Sequence, residues 1–219
     1  MKRKILLVIF DLDGTLVNAY KAVAESLNYS MKKSGFPLID ADTIKRSVGW
    51  GDRHLIEGFV GEERAQSVLE IYRKHHKASL KNGTRFLPGA FNILKWLRKE
   101  GCLLAIASNR PTRFSKIILR CLNIDRYFDI VLCADKLRRP KPYPDILLEI
   151  LRRKKLNKGQ AVYVGDMVID AQTGRRAGVT TVIVTTGSST PAEVRKEKPF
   201  AIIPNISRLR KIIQKLNQP

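Results

Sequence analysis

Val8-Ile9-Phe10-Asp11-Leu12-Asp13-Gly14-Thr15-Leu16 is the stretch on which the reading of this chain turns. From Ile5 to Phe10 the sequence is unbroken apolar, long enough for a buried strand. The run stops at two carboxylates spaced i, i+2, followed by Gly and Thr. Carboxylates at the carboxyl end of a strand lie where open α/β sheets receive their ligands. A solvated turn is the alternative, since Asp and Gly are ordinary turn residues. The segments that follow decide between the two.

Downstream, Ala19 to Ser34 reads as a helix, with Ala22, Val23, Leu27 and Met31 at helical spacing. Gly35-Phe36-Pro37 ends it. Further helices are expected over Asp40–Val48, Asp52–Phe59 and Glu62–Leu80, with no strand among them. From Leu87 the pattern changes. Strands are expected at Leu103–Ala107, Asp129–Cys133, Ala161–Val164 and Thr180–Val184, with a short edge strand at Ala201–Ile203. Helices are expected over Pro88–Lys99, Pro111–Leu122, Pro144–Arg153, Ile169–Ala177 and Ile206–Leu216. Strands alternating with helices predict an α/β fold, a doubly wound parallel sheet in three layers. Residues 17–83 form an all-helical insert, and residues 1–16 and 84–219 make up the core.

The 219 residues are 44% hydrophobic, enough for a sizeable core, and no apolar run approaches a membrane span. Met1-Lys2-Arg3-Lys4 and the apolar run after it superficially suggest a signal peptide. That run is too short, ends at Asp11 and lacks a small-residue cleavage site, so a cytoplasmic protein without membrane association is expected. Cys102, Cys121 and Cys133 are odd in number and widely spaced, as expected of reduced, mostly packed thiols. Lys and Arg number 41 against 20 acids, for a net charge of +21. The basic clusters are dispersed and lack interleaved aromatics. The plainer reading is a soluble basic surface; the sharper is attraction to anionic substrates or nucleic acid.

Polar residues fall at four strand ends. The first carries Asp11 and Asp13, the second Ser108 and Asn109, and the fourth Asp166 with Asp170 four residues on; Lys141 lies in the loop after the third. In a doubly wound sheet these converge on one edge. Asp11, Asp166 and Asp170 then form a cluster that is costly without a cation, and oxygen-only ligands indicate Mg²⁺. Lys141 either neutralises a phosphate or the nucleophile, or is a solvated lysine of a basic loop. Ser108 and Asn109 precede a helix, as a phosphate cradle or a plain N-cap.

Asp11-Leu-Asp13-Gly14-Thr15, Ser108-Asn109, Lys141-Pro142 and Gly165-Asp166-Met-Val-Ile-Asp170 resemble, in order and spacing, the four motifs of the haloacid-dehalogenase superfamily. The insert resembles the helical cap of its phosphoglycolate-phosphatase-like branch. The resemblance implies Asp11 as a nucleophile forming an aspartyl-phosphate and Asp13 as general acid/base. It implies that Ser108 and Asn109 hold phosphoryl oxygens and that Lys141 neutralises charge and positions Asp11. Mg²⁺ would be held by Asp11, the Asp13 carbonyl and Asp166, with Asp170 in support. Within the superfamily, an aspartate at Asp13 favours a Mg²⁺-dependent phosphatase or mutase.

Ser47-Val48-Gly49-Trp50-Gly51-Asp52-Arg53 is the insert's candidate substrate loop. Its glycines permit close backbone approach, and Arg53 suits a carboxylate or second phosphate. Equally, it reads as a turn with Trp50 packed in the cap core. His54, His75 and His76 read as surface residues. The expected activity is hydrolysis of a small phosphorylated metabolite, best matched by 2-phosphoglycolate, in a monomer or homodimer. The alternatives are a β-phosphoglucomutase-like phosphomutase, a pyrophosphatase or nucleotidase, and a nucleic-acid-binding protein or nucleic-acid-end phosphatase.

Overall fold

The computed structural model describes residues 4–218. The chain runs β1 (Leu7–Phe10), β2 (Val17–Asn18), α1 (Tyr20–Lys33), α2 (Ala41–Ser47), α3 (Asp52–Val60), α4 (Glu62–Gly83) and β3 (Arg85–Phe86). It continues through α5 (Ala90–Lys99), β4 (Leu103–Ser108), α6 (Thr112–Cys121), β5 (Ile130–Cys133), α7 (Asp145–Lys154), β6 (Ala161–Gly165) and α8 (Val168–Ala177). It closes with β7 (Thr180–Val184), α9 (Pro191–Lys196), β8 (Ala201–Ile203) and α10 (Leu209–Asn217).

Six strands form one parallel sheet in the order β5-β4-β1-β6-β7-β8. All of β1 is buried because helices cover both faces. Val8 and Phe10 pack on one side with Leu104, Ile106, Val162 and Val164. Leu7 and Ile9 pack on the other with Ala105, Ala107, Ala161 and Tyr163. This two-residue alternation is the strand's own period, expressed in a three-layer core. Each large apolar side chain so buried contributes about 1.5–3 kcal/mol. From β1 the chain first builds outward through β4 and β5, then returns past β1 to add β6, β7 and β8. The carboxyl ends of β1, β4 and β6 therefore meet at the switch point.

Helices α1 to α4 have an apolar cluster of their own, including Leu27 and Met31 of α1, Ile44 of α2, Ile56 of α3 and Tyr72 of α4. Strands β2 and β3, at the two ends of this helical segment, pair antiparallel through Val17 with Phe86 and Asn18 with Arg85. Entry and exit are thereby held together beneath the helices. Asn109 of the core donates its Nδ2 to the Gly49 carbonyl at 3.0 Å, joining the helical segment to the sheet edge. Arg46 makes a second tie, to the Ser188 carbonyl at 2.6 Å and to Glu193 at 2.7 Å. Among the described residues, no helix is long and apolar enough to cross a membrane.

Candidate active site

Asp11 is the first residue past β1, and its N–H donates to the Val164 carbonyl of β6 at 2.8 Å. The chain then turns at Gly14, whose φ of +78° is a left-handed conformation that glycine adopts readily. A Cβ there would collide with the Asp166 carboxylate and the Tyr20 hydroxyl. Thr15 donates its hydroxyl to Asp166 Oδ1 at 2.9 Å, locking this turn to the end of β6.

Lys141, 2% exposed, is the hub of the buried charges. Its Nζ donates to Asp11 Oδ1 and to Asp170 Oδ1, each at 2.7 Å, and to the Tyr163 hydroxyl at 3.2 Å. Tyr163 in turn donates to Asp170 Oδ1 at 2.5 Å. Asp170 Oδ2 accepts the backbone N–H groups of Asp166 and Met167 at 3.1 and 3.0 Å. Both oxygens of Asp170 are thus engaged, and its part is to hold Lys141 and the start of α8. Asn109 fixes the same lysine from behind: its Oδ1 accepts the Lys141 N–H at 2.9 Å and its Nδ2 donates to the Lys141 carbonyl at 3.1 Å. Its side-chain amide therefore positions the loop. Ser108 Oγ accepts the Arg110 N–H at 3.2 Å, leaving its own proton for another acceptor.

One carboxylate oxygen from each of Asp11, Asp166 and Asp170 falls within a 4.8 Å cluster. Among the described residues, a single ammonium, that of Lys141, is paired with these carboxylates. Burial, less Lys141's pull and with a push from Asp170, raises the Asp11 pKa to about 7. Burial and then the neighbouring Asp170 and Asp11 carry Asp166 well above the usual carboxylate range. Burial opposes the charge on Lys141, but Asp11 and Asp170 outweigh it and hold its pKa above the ordinary value. Asp166 Oδ2 is buried without a hydrogen-bond partner, and a Cβ at either Gly14 or Gly187 would run into that oxygen. A surplus of negative charge, an unpartnered carboxylate oxygen and glycine-lined space beside it fit a hard divalent cation such as Mg²⁺.

Asp13 departs from the expected arrangement. Its side chain turns to Arg110, whose Nε and Nη2 donate to its two oxygens at 2.7 and 3.0 Å. Arg110 Nη1 donates to His76 Nε2 at 2.7 Å. A guanidinium only donates, so Nε2 is an acceptor and the His76 proton sits on Nδ1. From there it reaches Ser26 Oγ at 3.0 Å. His76 is fully buried, which corrects the expectation of a surface residue. Burial, with Arg110 beside it, drives its pKa down to about 2, so the ring is neutral.

Asp11, Asp13, Ser108, Asn109, Arg110, Lys141 and Gly49 share the wall of one cleft of about 680 Å³, counted to its open mouth. Gly49, at φ +112°, abuts the Met167 side chain so closely that a Cβ would collide with it. Arg53 lies outside that wall: its side chain is exposed and pairs with Glu57 one helical turn on, at 2.6 Å. Trp50 is 45% exposed and rests against His54, neither in the cleft nor in the cap core. The charge assigned to Arg53 by the sequence is thus supplied within the cleft by Arg110, which the sequence reading passed over. The available signal was its place directly after Ser108-Asn109, on the same sheet edge.

Residues 8–184 match the profile of the haloacid dehalogenase-like hydrolases. A phosphoglycolate phosphatase of Aquifex aeolicus is 32% identical over 180 residues, covering 82% of this chain and 84% of that one. A phosphoglycolate phosphatase of Pseudomonas savastanoi pv. phaseolicola is 30% identical over 212 residues, covering 93% of this chain and 78% of that one. The crystal structure of a chain from Haemophilus somnus, described as a predicted phosphoglycolate phosphatase, superposes with a TM-score of 0.89. It is 26% identical and the match covers 95% of this chain and 97% of that one. With its sheet order, its switch-point carboxylates and most of its length within the profile, the chain belongs to the haloacid dehalogenase-like hydrolase family.

Proposed function

We propose that this hydrolase is a Mg²⁺-dependent phosphomonoesterase acting through an aspartyl-phosphate on Asp11, with 2-phosphoglycolate as its substrate. The observation that carries the reading is Asp11 itself: a carboxylate at the floor of a cleft, one oxygen fixed on a buried lysine, beside the unpartnered oxygen of Asp166. The relatives named phosphoglycolate phosphatase support the choice of ester. A cytoplasmic setting accords with three unbridged cysteines.

Asp11 and Asp166, with the Asp13 carbonyl, would hold Mg²⁺, which when bound offsets negative charge on the phosphoryl oxygens. Lys141 pulls against the burial that raises the Asp11 pKa and fixes one of its oxygens, so the other is free to attack phosphorus once the carboxylate is ionised. The phosphorus–ester oxygen bond breaks, and Asp13 gives its proton to the leaving alkoxide. Asp13 then takes a proton from the water that attacks the aspartyl-phosphate, returning Asp11 and releasing phosphate. Ser108 donates its hydroxyl to a phosphoryl oxygen. Phosphoryl transfer asks mainly for such positioning and charge neutralisation.

The test is phosphate release from phosphoglycolate, sugar phosphates, nucleotides, pyrophosphate and 3′-phosphorylated oligonucleotides, with and without Mg²⁺. Metal-dependent turnover greatest on phosphoglycolate and lost in Asp11→Asn is expected. Failure to hydrolyse any of them, in folded protein with Mg²⁺ present, overturns the reading.

A further inference from the structure

We infer that Arg110 is the receptor for a second anionic group on the leaving side of the substrate, and that binding this group releases Asp13 for proton transfer. The inference rests on the phosphatase reading above and adds the device that selects among esters.

Arg110 lies in the cleft wall against Asp13. Its side chain is only 11% exposed, it borders the cleft, and its fork spans both oxygens of Asp13. A carboxylate gripped this way has both oxygens committed as acceptors and cannot present a proton to a leaving alkoxide. The arrangement is therefore a resting one, and turnover requires that the fork let go and that the freed Asp13 carboxylate take up a proton from solvent before giving it to the leaving alkoxide. A guanidinium nearly removed from water does not release a carboxylate without a replacement, because the uncompensated charge is costly. A second carboxylate has the geometry to replace the first, since the planar fork accepts either in the same bidentate way.

The surroundings of Arg110 support an exchange. His76 accepts Nη1 from the helical segment through a neutral ring, so it steers the guanidinium without cancelling its charge. Three of the five N–H groups are engaged, by Asp13 and His76. The remaining cations near the site are assigned elsewhere. Lys141 is held by Asp11 and Asp170, and Arg73 is paired with Asp52 at 2.7 Å. In phosphoglycolate one methylene separates the ester oxygen from the carboxylate. The residue that gives a proton to that oxygen and the residue that grips that carboxylate must accordingly be neighbours, as Asp13 and Arg110 are.

The experiment compares phosphoglycolate with methyl phosphate, its counterpart without the carboxylate, in wild type and Arg110→Gln with Mg²⁺. Wild type prefers phosphoglycolate. In Arg110→Gln the kcat/KM ratio between the two esters falls roughly 10- to 100-fold, the worth of a charged hydrogen-bond pair. Turnover of methyl phosphate rises in the variant, because Asp13 is no longer held; general damage to the fold cannot produce a rise. Formate supplied with methyl phosphate, restoring the missing group in pieces, accelerates wild type and leaves Arg110→Gln unchanged. The formate arm on wild type decides the matter even where Arg110→Gln does not fold. Hydrolysis of esters with an unchanged ratio, or no formate effect on wild type, overturns this inference alone. Absence of turnover on every ester overturns the phosphatase reading and this inference with it.

Discussion

Lys141 carries the charge balance of the site, and its removal unbalances two buried carboxylates. Its ammonium is the only cation in contact with Asp11 and Asp170 among the described residues, at 2.7 Å from each. Lys141→Met leaves two buried carboxylates facing each other. Breaking a buried pair in this way costs about 3–5 kcal/mol. The expected result is a fall of that order in urea-unfolding stability at pH 8, with phosphatase turnover lost. Asp11 already binds its proton up to about pH 7, and without Lys141 it binds more tightly still. The deficit therefore shrinks as the pH falls, and equal destabilisation at pH 5 and pH 8 would contradict the account. Residues of this kind were legible beforehand where a motif marked them. Asp11, Asp166, Asp170 and Lys141 each follow a strand, and the apolar runs before them name the sheet edge. Arg110 and His76 were not legible as a pair. They lie 34 residues apart, on α4 and just before α6, and only the packing of the helical segment over the sheet brings them together.

At the scale of elements, His76 joins α4 to α1. Its Nδ1 donates to Ser26 Oγ at 3.0 Å, and Ser26 donates to the Ala22 carbonyl at 2.7 Å, so a neutral ring is built into the contact. The folded pKa of about 2 lies below the ordinary 6.5. Between those values the unfolded chain binds a proton that the folded chain does not. His76 thus contributes stability that is complete above about pH 6.5 and is lost as the pH falls, by about 1.4 kcal/mol per unit. Asp11, with its raised folded pKa, contributes the opposite slope between 3.8 and about 7. The difference between wild type and His76→Phe isolates the histidine. Their urea-unfolding free energies should converge as the pH is lowered from 7 to 5; a constant gap would show that the buried ring takes no part. The same contact explains why His76 read as a surface residue: α4 is rich in Lys, Arg and Glu, and the face it turns to α1 is narrow. Strands β2 and β3 also escaped the sequence reading, because two residues are too few to show a period of two. Helix α9 had a usable signal: Thr190 accepts the Glu193 N–H and Glu193 reaches back, a capping box with Pro191 in the first turn.

For the whole molecule, the dominant electrostatic feature is a net charge of +21. The site does not share it. Among the described residues, Asp11, Asp13, Asp166 and Asp170 pair there only with Lys141 and Arg110, a local surplus of two negative charges when all are ionised. A phosphate dianion is drawn by the protein's far field and opposed by the carboxylates at the cleft floor until a divalent cation is added to them. The two effects separate by their response to salt. Exposed basic residues act over a Debye length of about 10 Å at 0.1 M salt, whereas the buried cluster is screened far less. With saturating Mg²⁺, raising NaCl from 10 mM to 500 mM should lower kcat/KM for phosphoglycolate roughly 10-fold or more and leave kcat nearly unchanged. Steady-state kinetics across that range, with sucrose as a viscosity control, is the measurement. A fall in kcat of the same size would place the salt effect on the bound complex, in the ties that Arg46 and Asn109 make between helical segment and core. A flat kcat/KM would detach the surface charge from substrate capture. Salt-sensitive retention on DNA or RNA would then assign it to nucleic acid, whose binding through basic residues weakens steeply over the same range.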